Sequence, residues 1–263
     1  MSVWTPSQIL THWWIDAADV STIYDAATGG SLTADGGFVG RIEDKSGNGR
    51  HATQNTSAQR PLRAGATISF SSRYLQFPPT VMGPNRCIVG VWNSSATGGS
   101  NDAGFLIFNT GPIDNPELNL GMFTGGNNIN LWWNSGYAIQ SNQGAATRAI
   151  YAASFANTVG SVTATIHKNG TQTATGTRSG TWSSFTQTNC AIGFYPRINA
   201  YRNGTLCELI VCDPVNREIV EGYLAWKWGH VTDLPLSHPY KNVPPGNRAI
   251  ESRRRRYSGS YGL

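Results

Sequence analysis

Charge is scarce in this chain: Asp, Glu, Lys and Arg together make up 13% of 263 residues. That excludes a protein of exposed helices laced with acid–base pairs. Long apolar runs are absent too. No 18 consecutive residues are apolar, so no membrane insertion is expected. The opening "MSVWTPSQIL" lacks a basic segment and an apolar core, so no signal peptide is expected. The four cysteines, Cys87, Cys190, Cys207 and Cys212, form no C-x-x-C pair. On a regular strand Cys207 and Cys212 would lie about 16 Å apart on opposite faces, beyond the reach of a disulfide. All four are expected to be reduced and mostly buried, in a protein made in a reducing cytosol. Neither G-x-S-x-G nor H-E-x-x-H occurs, and the five histidines (12, 51, 167, 230 and 238) are scattered.

What the chain does have is Gly, 30 residues of it, together with abundant Ser, Thr and Asn. This is the composition of many short strands joined by tight turns. The length suits one large all-β domain and buries enough surface to fold without disulfides or metal. The net charge of +5 is uneven. Residues 248–263 hold five of the 20 basic residues and one of the 15 acidic ones, which leaves 15 basic and 14 acidic elsewhere. A nearly neutral body argues against a global nucleic-acid footprint.

Along the chain, Trp4, Trp13, Trp14 and Ile15 suggest an apolar strap closing onto a core. Strands are predicted at 37–43, 66–77, 86–94, 104–110, 117–124, 128–135, 148–157 and 205–213, a spacing that suggests a sandwich. Alternating β-branched residues around Asn169-Gly170 predict a hairpin over 161–177 with a type I′ turn. One segment changes period: Ile219, Val220, Tyr223, Leu224 and Lys227 recur at helical spacing. Asp213 is the expected cap, Pro214 the first helical residue and Gly229 the stop. "LPLSHPY" (234–240) then reads as an extended strap, and 246–263 as a basic flexible arm following a domain of residues 1–245.

The stretch "RIEDKSGNGRH" (41–51) concentrates polar groups. As a calcium loop starting at Asp44 it offers Ser46 and Asn48, but its twelfth position is Asn55 where a Glu is needed. As a phosphate cradle it should open a helix, and "RHATQNTSAQRP" has no helical period. Glu43 and Asp44 are adjacent and point apart on a strand, so they do not flank one bond. Asp44, Ser46, Asn48 and Gly49 are therefore read as a structural turn, with no metal.

"DKSGNGRHATQ" resembles the D-x-SGNG-x-H-x-T segment of the concanavalin A-like, laminin-G-like jelly rolls. "WWIDAADVSTI" (13–23), "ISFSSRYLQF" (68–77) and "HKNGTQTATGT" (167–177) resemble further pieces of a subgroup frequent in bacteriophage virion proteins. "ELIVCDPVNREIVEGYLAWKWG", followed by "LPLSHPY", closely resembles that subgroup's C-terminal signature, and the matches together span residues 4–245. The resemblance implies an all-β, two-sheet antiparallel jelly-roll sandwich with one C-terminal helix.

It also implies a bacteriophage virion component, a decoration, fibre or tail module made in the host cytoplasm. Its partners would be other virion proteins and further copies of itself, with a host-surface glycan as a candidate ligand. The alternative is a soluble lectin-type carbohydrate-binding protein, and third comes a degenerate glycanase. Glycanases of this fold carry E-x-D-x-x-E on a strand, and Glu117, Glu208, Glu218 and Glu221 have no such neighbours, so no enzyme and no cofactor are expected. Trp132, Trp133, Asn134 and Tyr137 are candidate glycan contacts. The tail residues Arg253, Arg254, Arg255, Arg256 and Tyr257 read as an assembly arm, with nucleic acid as the less favoured partner.

Overall fold

The computed structural model describes residues 4–83, 85–94, 106–109, 118–123, 128–133, 136–142, 147–158, 160–179, 185–187, 189–195, 199–201 and 203–246. Two antiparallel sheets face each other, as the jelly-roll reading requires. In the eight-stranded sheet the order runs Thr171–Ser179, Ser161–Lys168, Ala149–Thr158, Arg86–Ser94, Gly204–Cys212, Thr67–Phe70, Leu62–Ala64. Strand Thr11–Asp16 also pairs with Gly204–Cys212, beyond the point where Thr67–Phe70 leaves it. The nine-stranded sheet runs Gly136–Asn142, Asn128–Trp133, Leu118–Phe123, Leu106–Asn109, Asn189–Ile192, Leu75–Phe77, Ala52–Thr53, Arg41–Ile42, Ile23–Tyr24.

The core has two layers because the first sheet is covered on both faces. Along Arg86–Ser94, Ile88 and Trp92 point between the sheets with Trp13, Ile42, Leu75, Phe77, Tyr151 and Leu209. The alternate residues Cys87, Val89 and Val91 point outward and are covered by Trp4, Trp14, Val220, Tyr223 and Leu224. A strand buried on both faces reads as a continuous apolar run, and "CIVGVW" does.

The helix α1 spans Arg217–Trp228, after a 3₁₀ turn at Pro214–Asn216, and Gly229 closes it with φ +76°. The Asp213 carboxylate makes no capping bond. It is drawn instead to His12 at 3.2 Å and Arg86 at 3.3 Å. The hairpin turn has Asn169 and Gly170 both at positive φ, the geometry expected of Asn-Gly.

Three expectations change. The segment 66–77 is two strands in different sheets, because the chain turns at Ser72, φ +50°, and crosses between layers. The segment 37–43 pairs as a strand only over Arg41–Ile42. Cys207 and Cys212 share the outer layer and are not on opposite faces. A bulge between Leu206 and Glu208 puts Cys207 and Glu208 on the same side, so the alternation slips by one. All four cysteines are free and buried.

Candidate functional site

Two polar constructions stand out. One holds the first sheet, the helix and the 44–50 loop together, and the other forms an open pocket on the second sheet.

In the first, the turn after Arg41–Ile42 is built around one carboxylate. Asp44 accepts the backbone N–H groups of Trp14 (3.0 Å), Ser46 (2.9 Å) and Arg50 (3.0 Å), and the Ser46 hydroxyl at 2.8 Å. Asn48 Nδ2 donates to the carbonyls of Thr11 and His12 at 3.0 and 3.2 Å. Gly47 and Gly49 both take positive φ, which lets the loop fold back onto Thr11–Asp16. Asp44, Ser46, Asn48 and Gly49 thus pin this loop to the N-terminal strand.

Beside the loop lies a buried ionic chain. Lys45 Nζ reaches Asp16 at 2.9 Å and Asp19 at 2.6 Å. Lys227 Nζ, on α1, reaches Asp16 at 2.8 Å and Glu208 at 2.7 Å. Glu208 is fully buried and also accepts Trp14 Nε1 (2.7 Å), Tyr223 Oη (3.0 Å) and Trp228 Nε1 (2.8 Å). Burial pushes the Glu208 carboxyl above its usual range and Asp16 adds to that, while Lys227 and Trp228 oppose it. Burial would lower the Lys45 ammonium, but Asp19 and Asp16 outweigh it and hold it above the ordinary lysine range. Every one of these acids faces a cation or a hydrogen-bond donor, so the chain is saturated. Among the described residues no group of His, Cys, Asp and Glu is arranged to hold a metal ion.

The pocket lies on the other sheet, on the face turned away from the core. Ile42, Ala52, Leu75 and Phe77 point inward, so their strand neighbours Arg41, Thr53 and Gln76 point outward. The register sets these three in one row, Arg41 opposite Thr53 and Thr53 opposite Gln76. The row is the floor of a cavity of about 540 Å³, within the usual range for ligand sites. Glu43, Gly49 and His51 form one wall, Ala27, Thr28 and Gly29 another, and exposed Pro78 closes the apolar end, next to Phe77, whose ring lies in the core.

The 25–30 wall depends on two glycines. Gly30 has φ +82°, and a Cβ there would sit 2.5 Å from Asp25 Oδ1. A Cβ on Gly40 would meet the Ala26 backbone at 2.5 Å. Arg41 then braces the wall, donating Nη1 to the carbonyls of Ala27 at 3.3 Å and Gly29 at 3.2 Å. Its Nη2 lies 3.3 Å from Glu43 Oε1, and its plane covers the Tyr24 ring at 4.1 Å. His51 Nδ1 accepts the Asp44 N–H at 3.0 Å, so the neutral ring carries its proton on Nε2. The loop that folds onto the N-terminal strand therefore also orients a pocket donor. The side chains of Thr53 and Gln76 have no hydrogen-bond partner among the described residues.

Trp132 pairs with Tyr137 and Trp133 with Gly136, at the far edge of the same sheet from the pocket. Asn134 and the side chains of Trp132, Trp133 and Tyr137 lie outside the described residues, as do Arg253, Arg254, Arg255, Arg256 and Tyr257. The pocket residues carried a sequence signal that a motif search passes over. Arg41 and Glu43 flank Ile42, and Gln76 interrupts Leu75 and Phe77, both at period two.

No protein-family model and no curated protein matches this chain. Solved structures are similar to it at low identity. A Trypanosoma rangeli sialidase is 10% identical with TM-score 0.52, over 77% of this chain and 30% of that one. A GH54 α-L-arabinofuranosidase is 15% identical with TM-score 0.47, over 67% of this chain and 47% of that one. The VIP36 exoplasmic/lumenal domain, in a form with calcium and mannobiose bound, is 9% identical with TM-score 0.36, over 58% of this chain and 78% of that one. The chain thus spans about half the arabinofuranosidase and less than a third of the sialidase. Of these three, the sialidase exceeds a TM-score of 0.5, and its likeness bears on fold alone.

Proposed function

We propose that this chain is a lectin-type β-sandwich module that binds a saccharide on the outward face of its nine-stranded sheet. The observation that supports this is the row Arg41–Thr53–Gln76 with Glu43 and His51 above it, ending against Pro78. Sugar recognition calls for this mixture: neutral donors and acceptors for hydroxyls, one carboxylate, and an apolar surface for the ring face. The module binds without cleaving. Glu43 is the one carboxylate among the lining residues, and glycoside hydrolysis ordinarily takes two, about 5 to 9 Å apart. A glycan array with the wild type and with Gln76→Ala tests the reading. Binding that the substitution weakens, at an unchanged melting temperature, is the expected result, and an array without hits, or with hits that the substitution leaves unchanged, refutes it.

A second reading concerns where the module works. The 208–240 segment resembles a bacteriophage virion signature, and on that ground we place the module on a virion surface, docked through residues 248–263. A protein truncated after Gly246 should keep its melting point and fail to join particles. Normal incorporation would refute the docking role.

A further inference from the structure

We infer that the pocket takes an uncharged sugar presenting adjacent hydroxyls and turns acidic sugars away, a specificity that rests on the glycan-binding reading above. Arg41 is the one cation among the lining residues; both of its terminal nitrogens already have partners, and its Nε, which has none, is buried from solvent. Nη1 is held by the carbonyls of Ala27 and Gly29, Nη2 by Glu43, and one face of the guanidinium by Tyr24. Lys45 follows Asp44 in the neighbouring loop, and its ammonium is spent on Asp16 and Asp19. A carboxylate or sulfate entering the pocket would therefore meet no open cation. It would meet the Glu43 carboxylate, of which one oxygen faces Arg41, and like charges repel there.

The groups that remain open suit hydroxyls. Among the described residues Glu43 Oε2 has no partner, and it accepts from O–H. His51 Nε2–H donates, while the Thr53 hydroxyl and the Gln76 amide do both. Cross-strand neighbours stand about 5 Å apart, so Thr53 and Gln76 bracket a pair of vicinal hydroxyls from below while Glu43 accepts from the side. Each hydroxyl can then give one hydrogen bond and accept one.

The test is calorimetric titration with matched pairs that differ only in charge: a hexose against its uronic acid, and a desialylated oligosaccharide against its sialylated form. The neutral member should bind at least tenfold tighter, with an affinity that does not move as salt is raised. Glu43→Gln should lower neutral-sugar affinity about tenfold or more. It should also close the gap between the paired sugars, because Arg41 Nη2 is then released. Gln76→Ala, which leaves the Arg41–Glu43 pair in place, should weaken both members equally. Equal or tighter binding of the acidic member by the wild type overturns this specificity and leaves the glycan-binding reading standing. So does a Glu43→Gln protein that keeps the full preference for neutral sugar. No binding of either member overturns the glycan reading, and the specificity falls with it.

Discussion

Glu208→Ala is the most exacting substitution for the structural half of this account. The side chain is fully buried and accepts four donors: Trp14 Nε1, Tyr223 Oη, Trp228 Nε1 and Lys227 Nζ. Those donors come from the N-terminal strand and from α1 with its C-terminal end, while Glu208 sits on the strand between them. Removing it leaves two indole N–H groups and a phenol without an acceptor, each costing about 1–3 kcal/mol where water cannot enter. Lys227 keeps Asp16 at 2.8 Å, so its charge is not orphaned. Lys227 is a quarter exposed, which admits some solvent and keeps the terms from adding in full. A loss of about 3–5 kcal/mol follows, the usual range for breaking a buried charged cluster by removing one member. That is a large fraction of the 5–15 kcal/mol typical of a folded protein. Glu208→Gln should cost roughly half as much, since its oxygen still serves Trp14 and Tyr223 while its NH₂ faces Trp228 and Lys227. Urea unfolding followed by tryptophan fluorescence measures both. A Glu208→Ala loss under about 1 kcal/mol with an unchanged m-value would refute the cluster as a structural joint.

Asp44→Ala strips an acceptor from three backbone amides and one hydroxyl and should cost about 2–3 kcal/mol. Melting temperatures with calcium and with chelator should agree for wild type and variant alike, and a calcium-dependent rise lost in the variant would revive the metal reading. Burial lowers the His167 imidazole to about 4, with Arg217 adding to the effect, so the folded state holds fewer protons than the unfolded state between pH 6.5 and about 4. Its contribution is present above pH 6.5 and is lost as pH falls through that window, by about 3 kcal/mol in total. His167→Gln should flatten that part of a stability–pH curve, and an unchanged slope would refute it. Gly222→Ala drives a Cβ to 2.5 Å from Tyr240 Cβ, where the strap crosses α1, and should cost about 1–3 kcal/mol by overpacking. A neutral result in thermal unfolding would mean that the strap packs less closely on the helix than the structure has it.

The sheets and the helix were legible in the sequence where one pattern repeats over many residues: Asn169-Gly170 between β-branched runs, the helical period from Ile219 to Lys227, the apolar run through 86–94. What was not legible depends on single-residue events. The bulge at Cys207 and the turn at Ser72 each shift an alternation by one step, and neither residue type announces it. Asp213 has the sequence of a cap, but His12 and Arg86, both far off in the chain, compete for its carboxylate. The pocket was missed for a related reason. Its residues come from three short strands and two loops, and only the register of those strands sets Arg41, Thr53 and Gln76 side by side. Glu208 looked like an unmatched acid because its partners lie 194 residues upstream and 15 to 20 downstream.

The most direct test of the glycan-binding claim is a crystal structure of the protein soaked with the tightest neutral oligosaccharide from the array. The expected result is a sugar ring over Thr53 and Gln76, with hydroxyls on Glu43 and His51 and a ring face against Pro78. A saccharide bound at the opposite edge of the sheet, around Trp132 and Trp133, with the Arg41–Gln76 row unoccupied, would contradict it.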